Sequence, residues 1–80
     1  MAAARSGFER ALEIETTAYG PSHPRLAETL NSLAALLALQ GSIEEARAGY
    51  QRALDILTAS LPPRHPRVLA VRQQLSDLGA

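Results

Sequence analysis

Apolar residues recur at three- and four-residue steps through the middle of the chain, which is the spacing of one helix face. They are Leu26, Ala27, Leu30, Leu33, Ala34, Ala35, Leu36 and Leu37. This face is unusually broad, so the helix is predicted to be buried on two sides. Pro24 suits its first turn, with His23 or Ser22 as the cap, and Gly41 suits its end. The pattern therefore predicts a helix over residues 24–40.

A second apolar stripe follows directly and predicts a helix over residues 43–60. Its members are Ile43, Ala46, Tyr50, Ala53, Leu54, Ile56 and Leu57. At its start, Ser42 and Glu45 have the spacing of a capping box. In that motif the Ser42 side chain accepts the backbone N–H of Glu45, and the Glu45 carboxylate reaches back. Pro62 and Pro63 end the helix, because neither can continue the ladder of backbone hydrogen bonds.

The chain repeats itself at an offset of about 42 residues, where roughly fifteen of thirty-eight compared positions are identical. FERALEI at residues 8–14 matches YQRALDI at residues 50–56, and PSHPR at residues 21–25 matches PRHPR at residues 63–67. Outer helices are therefore predicted over residues 2–19 and 66–78. Their apolar positions are Ala4, Phe8, Ala11, Leu12 and Ile14, and Val68, Leu69, Leu75 and Leu78. With no competing strand pattern, we predict one all-α domain over residues 1–80, built as a solenoid.

Charge and composition remove several classes of function. The eight Arg balance eight Asp and Glu without forming blocks, so nothing favours binding to nucleic acid or to an anionic membrane. No apolar run approaches the roughly eighteen residues that a membrane helix needs. The chain has no Cys, which excludes a disulfide framework, a thiolate zinc site and a cysteine nucleophile. We therefore predict a cytoplasmic protein.

The titratable residues do not form a catalytic or metal-binding pattern. His23 and His65 occupy the same position in two repeats, too far apart to share a metal, and each precedes a proline, where a capping role is expected. The closest carboxylates, at residues 13–15 and 44–45, are predicted on solvated helix faces. The absence of Lys excludes a phosphate-binding loop of the usual lysine-containing type. We expect no enzymatic activity, no metal and no cofactor.

One complete unit of the repeat carries a recognisable pattern of large, small and aromatic residues. Its positions are Leu30, Leu33, Ala34, Leu37, Gly41, Ala46, Tyr50 and Ala53. These residues resemble the tetratricopeptide repeat, in the long-period form of kinesin light chains and many bacterial regulatory proteins. The segments GPSHP at residues 20–24 and TLNSLA at residues 29–34 resemble that form as well. The resemblance implies a short right-handed α-solenoid of antiparallel helical hairpins that acts in protein–protein interaction.

The resemblance also implies a binding groove. In tetratricopeptide repeats the first helix of each hairpin lines a concave face, and an Asn at the position of Asn31 commonly binds the backbone of a peptide. The groove residues implied here are Glu28, Asn31, Ala35 and Ala38 from the complete unit, and Ala70, Gln73 and Asp77 from the last helix. The expected partner is a peptide or another protein. An exposed Asn on a helix also needs no function, and this alternative stays open.

Self-assembly is the alternative function, because the first helix lacks its hairpin partner and the last helix lacks its successor. Apolar residues at the two ends could then be buried between copies in a homodimer or a head-to-tail stack. They are Phe8, Leu12, Val68, Leu69 and Leu75. In the last helix, Arg72 and Ser76 replace apolar or small residues of the pattern, which indicates either a terminal cap or half of an interface. The chain could also be a fragment of a longer repeat array.

Overall fold

The computed structural model describes residues 2–79, with side chains described within residues 5–78. Four helices follow one another along the chain: α1 (Ala2–Tyr19), α2 (Pro24–Leu39), α3 (Ile43–Ser60) and α4 (Pro66–Gly79). Their bounds lie within one residue of those that the sequence predicts. No strand occurs within residues 2–79, so the prediction of an all-α fold is confirmed.

Each helix packs against its neighbours in sequence, and the α2–α3 contact is the most extensive. The core consists of Leu26, Ala27, Leu30, Ala34, Tyr50, Ala53, Ile56, Leu57, Val68 and Val71, which are all buried. Burial of each large aliphatic side chain contributes about 1.5–3 kcal/mol to folding. Since α2 packs against both α1 and α3, its predicted burial on two sides is confirmed.

The turn between α2 and α3 is built on Gly41, whose φ of 85° is rarely adopted by other residues. The Ser42 N–H donates to the Leu37 carbonyl at 2.9 Å, and the Gly41 N–H donates to the Ala38 carbonyl at 3.1 Å. These two bonds form a Schellman motif, which satisfies carbonyls that the end of a helix would otherwise leave unpaired. The backbone N–H of Ser42 is therefore used in ending α2.

The predicted capping box at the start of α3 is wrong. Ser42 is the N-cap residue, but its side chain makes no capping hydrogen bond. The Glu45 carboxylate instead accepts a hydrogen bond from the Arg5 guanidinium at 2.6 Å, which joins α3 to α1. The Arg5 guanidinium has taken the place of the local backbone N–H, because the Ser42 N–H already donates to the Leu37 carbonyl.

Both histidines cap a helix, as predicted. The His23 Nδ1 atom accepts the backbone N–H of Arg25 at 3.1 Å, and the His65 Nδ1 atom accepts that of Arg67 at the same distance. Each bond satisfies one of the unpaired N–H groups at the start of a helix. His23 also stacks on the Tyr19 ring, with 4.8 Å between ring centroids. The two equivalent residues thus fix the starts of α2 and α4.

The last helix packs on the core through a face that differs in part from the predicted one. Val68 and Val71 are buried, whereas Leu69 is 50% exposed. The sequence pattern included Leu69 and missed Val71, because a short stripe on a helix can be drawn along either of two neighbouring faces. Arg72 and Ser76 are exposed.

Candidate functional site

A groove with a volume of about 250 Å³ lies between α2 and α4. Its lining residues are Ala27, Glu28, Asn31 and Ser32 of α2, Leu57 of α3, and Arg67, Ala70, Val71 and Gln74 of α4. Leu57, Ala27 and Val71 are core residues and form an apolar floor. Polar side chains from the two flanking helices stand around that floor. The groove therefore combines an apolar base with a polar rim, which is the usual composition of a binding site.

Two amide oxygens in this groove lack a hydrogen-bond partner. Asn31 Oδ1 and Gln74 Oε1 are buried, and each is without a donor in the part of the chain that the structure describes. A buried acceptor left unpaired costs about 1–3 kcal/mol, and such atoms are rare in folded proteins. The groove thus holds two amide side chains on facing helices, and rotation of either amide toward the groove would let a molecule with N–H or O–H donors satisfy its oxygen.

An ion pair crosses the groove from one helix to the other. The Arg67 guanidinium donates to the Glu28 carboxylate at 2.9 Å. Both side chains are largely exposed, so the pair adds little to stability, typically 0–1 kcal/mol. Arg67 lies two residues after His65, which caps the first turn of α4 by accepting the Arg67 backbone N–H. The ion pair is therefore a polar, solvent-facing edge of the groove.

The structure brings together only some of the predicted groove residues. Glu28, Asn31 and Ala70 line the groove, whereas Ala35, Ala38, Gln73 and Asp77 are not among its lining residues. The Gln73 amide donates to the Asp77 carboxylate at 2.9 Å on the exposed side of α4.

The division between residues that line this groove and residues that do not has a geometric reason. Asn31 lies on the face of α2 toward α4, so its repeat equivalent Gln73 lies on the face of α4 that points away from α2. The residues of α4 that line the groove lie on the edge that faces α2. Gln74, the residue after Gln73, is one of them. Arg67 and Gln74 could have been found by asking which edge of α4 faces back toward α2.

The residues predicted for self-association are distributed between the surface and the core. Leu69 is half-exposed, and Phe8, Leu12 and Leu75 are partly buried. Val68 is fully buried within the chain, where it belongs to the core cluster, and is not available to a second copy. The surface for such contacts therefore excludes Val68.

Other kinds of site are not apparent in residues 2–79. Among the side chains described, no group of three or more His, Asp or Glu lies close enough together to hold a metal ion. The helices of that same region also include none with the length and apolarity needed to cross a membrane. The groove between α2 and α4 is the candidate site because its two amide oxygens are buried without a partner among the described residues.

A comparison with families of known proteins agrees with these features. The family model of the tetratricopeptide repeat matches residues 1–59, which include α1, α2 and almost all of α3. A comparison with individual curated proteins finds none that matches the sequence. The long-period, kinesin-light-chain-like form stays a prediction. With its repeated helical hairpins, small residues at the helix contacts and matching family model, the chain belongs to the tetratricopeptide repeat family, whose members generally act as protein–protein interaction modules.

Proposed function

We propose that this chain is a non-enzymatic module that binds a peptide, or a segment of a partner protein, in the groove between α2 and α4. The observation that carries this proposal is the pair of unpaired acceptors, Asn31 Oδ1 and Gln74 Oε1, on facing helices. A polypeptide offers N–H donors along its whole backbone, so it can satisfy both oxygens without a particular side chain.

The size of the groove favours a short segment of polypeptide. A volume of about 250 Å³ is below the 300–1,000 Å³ or so of typical small-molecule pockets. It accommodates one or two apolar side chains over Leu57 and Val71, with the flanking backbone near Asn31 and Gln74. Because Glu28 and Arg67 neutralise each other, the groove itself sets no strong preference for ligand charge.

The test begins with a random peptide display library selected on the immobilised 80-residue chain. Synthetic peptides from the enriched sequences are then titrated calorimetrically against wild-type protein and against the double variant Asn31→Leu, Gln74→Leu. Each hydrogen bond is worth about 0.5–1.5 kcal/mol, so we expect the double variant to bind at least roughly fivefold more weakly.

The matched control is Gln51→Leu, which removes an exposed amide on α3 away from the groove. This variant should bind the selected peptides as the wild-type chain does. Equal binding by the wild-type chain and the double variant would contradict the proposal, as would weaker binding that the Gln51→Leu control shares.

A further inference from the structure

The two outer helices of this chain are complementary halves of one repeat. α1 repeats the sequence of α3, and α4 repeats that of α2. In the centre of the chain, α2 and α3 pack as a hairpin, whereas the described residues supply no helix for the equivalent faces of α1 and α4. We propose that α1 of one copy packs on α4 of a second copy in the way that α3 packs on α2, so that chains add head to tail.

Two equivalent glycines show the difference between a covered and an uncovered face. A Cβ atom on Gly49 would lie 3.1 Å from the Ala34 Cβ, so Gly49 allows α2 to approach α3 closely. Gly7 is the equivalent residue of α1, and a Cβ atom there would meet nothing within 4 Å. α1 therefore has the close-approach residue of the hairpin without the helix that would use it.

A second pair of equivalent surfaces differs in the same way. On α3, Arg52, Asp55, Ile56 and Ala59 line a groove together with Pro21 and Ser22 of the linker before α2. Ile56 is only 5% exposed there. On α1 the equivalent residues Arg10, Glu13, Ile14 and Thr17, together with Ala18, line an open depression of about 500 Å³. Ile14 is 58% exposed in it.

The residues that would cover Ile14 are present near the other end of the chain. Pro63 and Arg64 are the repeat equivalents of Pro21 and Ser22, and they lie in the linker before α4. If α1 of a second copy continues the array after α4, this linker reaches Ile14 as Pro21 and Ser22 reach Ile56. The exposed Ile14 and the half-exposed Leu69 then become buried together.

Complementary charges at the two ends of the chain favour a second copy as the partner. Leu30 and Leu57 are both buried in the α2–α3 hairpin, and their equivalents are Arg72 on α4 and Glu15 on α1. The two apolar positions have thus become opposite charges at the two ends of the chain, and the Glu15 carboxylate also accepts a hydrogen bond from the Thr29 hydroxyl of its own chain. Opposite charges across an interface guide orientation and favour the complementary partner over others.

The linker carries a second such pair. Ser22 and Asp55 line the same groove within the chain, and their equivalents are Arg64 and Glu13. Both acidic residues therefore lie on α1, and both basic residues lie in or just before α4. Because the two surfaces differ, the contact is heterologous, and it generates an open series of oligomers or a ring instead of a symmetric dimer.

Assembly of this kind would also explain the position of Gln73. This residue is the equivalent of Asn31 and lies on the edge of α4 that points onward along the array. In a stack, that edge faces α2 of the next copy, so Gln73 would line a second groove between the two chains. The partner would extend the binding surface as well as cover apolar residues.

The test is sedimentation equilibrium of the 80-residue chain from about 1 µM to about 1 mM, with helicity measured by circular dichroism on the same samples. We expect the average mass to rise with concentration beyond that of a dimer, or to reach that of a closed ring of three or more chains. Ile14→Asp should give a monomer of unchanged helicity, since Ile14 is largely exposed within one chain. A wild-type monomer at every concentration, or a mass that stops at the dimer, would overturn the proposal.

Charge reversal tests the orientation. Glu13→Arg and Arg64→Glu should each weaken association by roughly two- to fivefold, the range for exposed ion pairs, and the chain carrying both changes should recover it. Glu9→Arg makes the same charge change on α1 at a position whose equivalent, Gln51, stays exposed in the hairpin. It also removes the ion pair of Glu9 with Arg5, so its helicity is measured beside its association, and the association should be unchanged. Asn31→Leu should likewise leave assembly unchanged, which separates this contact from peptide binding. Equal effects of Glu13→Arg and Glu9→Arg would refute the predicted orientation.

Discussion

Gly49 of α3 lies so close to Ala34 of α2 that a Cβ atom on the glycine would come within 3.1 Å of the alanine Cβ. The alanine Cβ belongs to a fully buried residue and cannot rotate away, so the two helices would have to move apart. The short distance between α2 and α3 at this point therefore depends on the missing Cβ atom of Gly49.

This contact predicts opposite effects for substitutions at two equivalent glycines. Gly7→Ala should raise the free energy of unfolding by about 0.5–1 kcal/mol, because alanine is the better helix former and meets no neighbour. Gly49→Leu should lower it by at least about 1–3 kcal/mol through overpacking. Urea denaturation at a low protein concentration measures both. If Gly49→Leu were as stable as the wild-type chain, the close helix contact would be incorrect.

The histidine caps predict a loss that depends on side-chain chemistry. His23→Ala and His65→Ala should each lower the free energy of unfolding by about 1 kcal/mol, because an N–H at the start of a helix loses its acceptor. His23→Asn should retain most of the stability, since the Asn side chain also supplies an oxygen acceptor. Thermal denaturation compares the variants.

Ser22→Ala is the control for the cap of α2. Ser22 was the other residue from which the sequence predicted this cap, and the structure assigns the cap to His23. The Ser22→Ala variant should unfold at the same temperature as the wild-type chain. A larger loss for Ser22→Ala than for His23→Ala would reverse the assignment.

The groove amides predict a conflict between stability and binding. Gln74→Leu should raise the free energy of unfolding by about 1 kcal/mol, because it removes a buried acceptor that has no donor. Gln73→Leu, at the next position on the same helix, removes an exposed amide that is already bonded to Asp77, and it should give no such gain. Chemical denaturation of the two variants provides the comparison. If both substitutions stabilised the chain equally, the gain would come from the leucine side chain and not from removal of an unpaired acceptor.

The helices and their ends could be predicted from the sequence because they depend on local features. Leucine spacing, the His-Pro pairs and the prolines after Ser60 each act within a few residues of the structure that they determine. The positions of α2 and α4 followed from these features to within one residue. The identical capping bonds of His23 and His65 followed in the same way, since equivalent sequences form equivalent turns.

Contacts between distant residues could not be predicted in this way. Glu45 fits a local capping box, but Arg5 lies close enough to take its carboxylate only because α1 and α3 are neighbours in the fold. Gln74 lines the groove in place of Gln73 because α2 lies on one particular side of α4. Both facts require the arrangement of the helices, which a helical period does not contain.

The burial of Tyr50 predicts a loss of stability in alkaline solution. Tyr50 is 4% exposed, and burial raises its pKa above the ordinary value because the charged phenolate loses hydration. In the unfolded chain the phenol ionises near pH 10, whereas in the folded chain it keeps its proton to higher pH. The folded state therefore binds more protons above about pH 10, and the free energy of unfolding should fall as the pH rises through that range.

The absence of Lys and Cys makes this effect measurable, because few other side chains titrate between about pH 9 and pH 11. Urea denaturation of the wild-type chain at pH 8 and pH 11 should show the loss, and Tyr50→Phe should largely abolish the difference between the two pH values. The Tyr19→Phe variant lacks the half-exposed tyrosine and should lose as much stability between pH 8 and pH 11 as the wild-type chain does. If Tyr50→Phe lost as much stability at pH 11 as the wild-type chain, ionisation of another group would be responsible, and the burial of Tyr50 would not control the alkaline response.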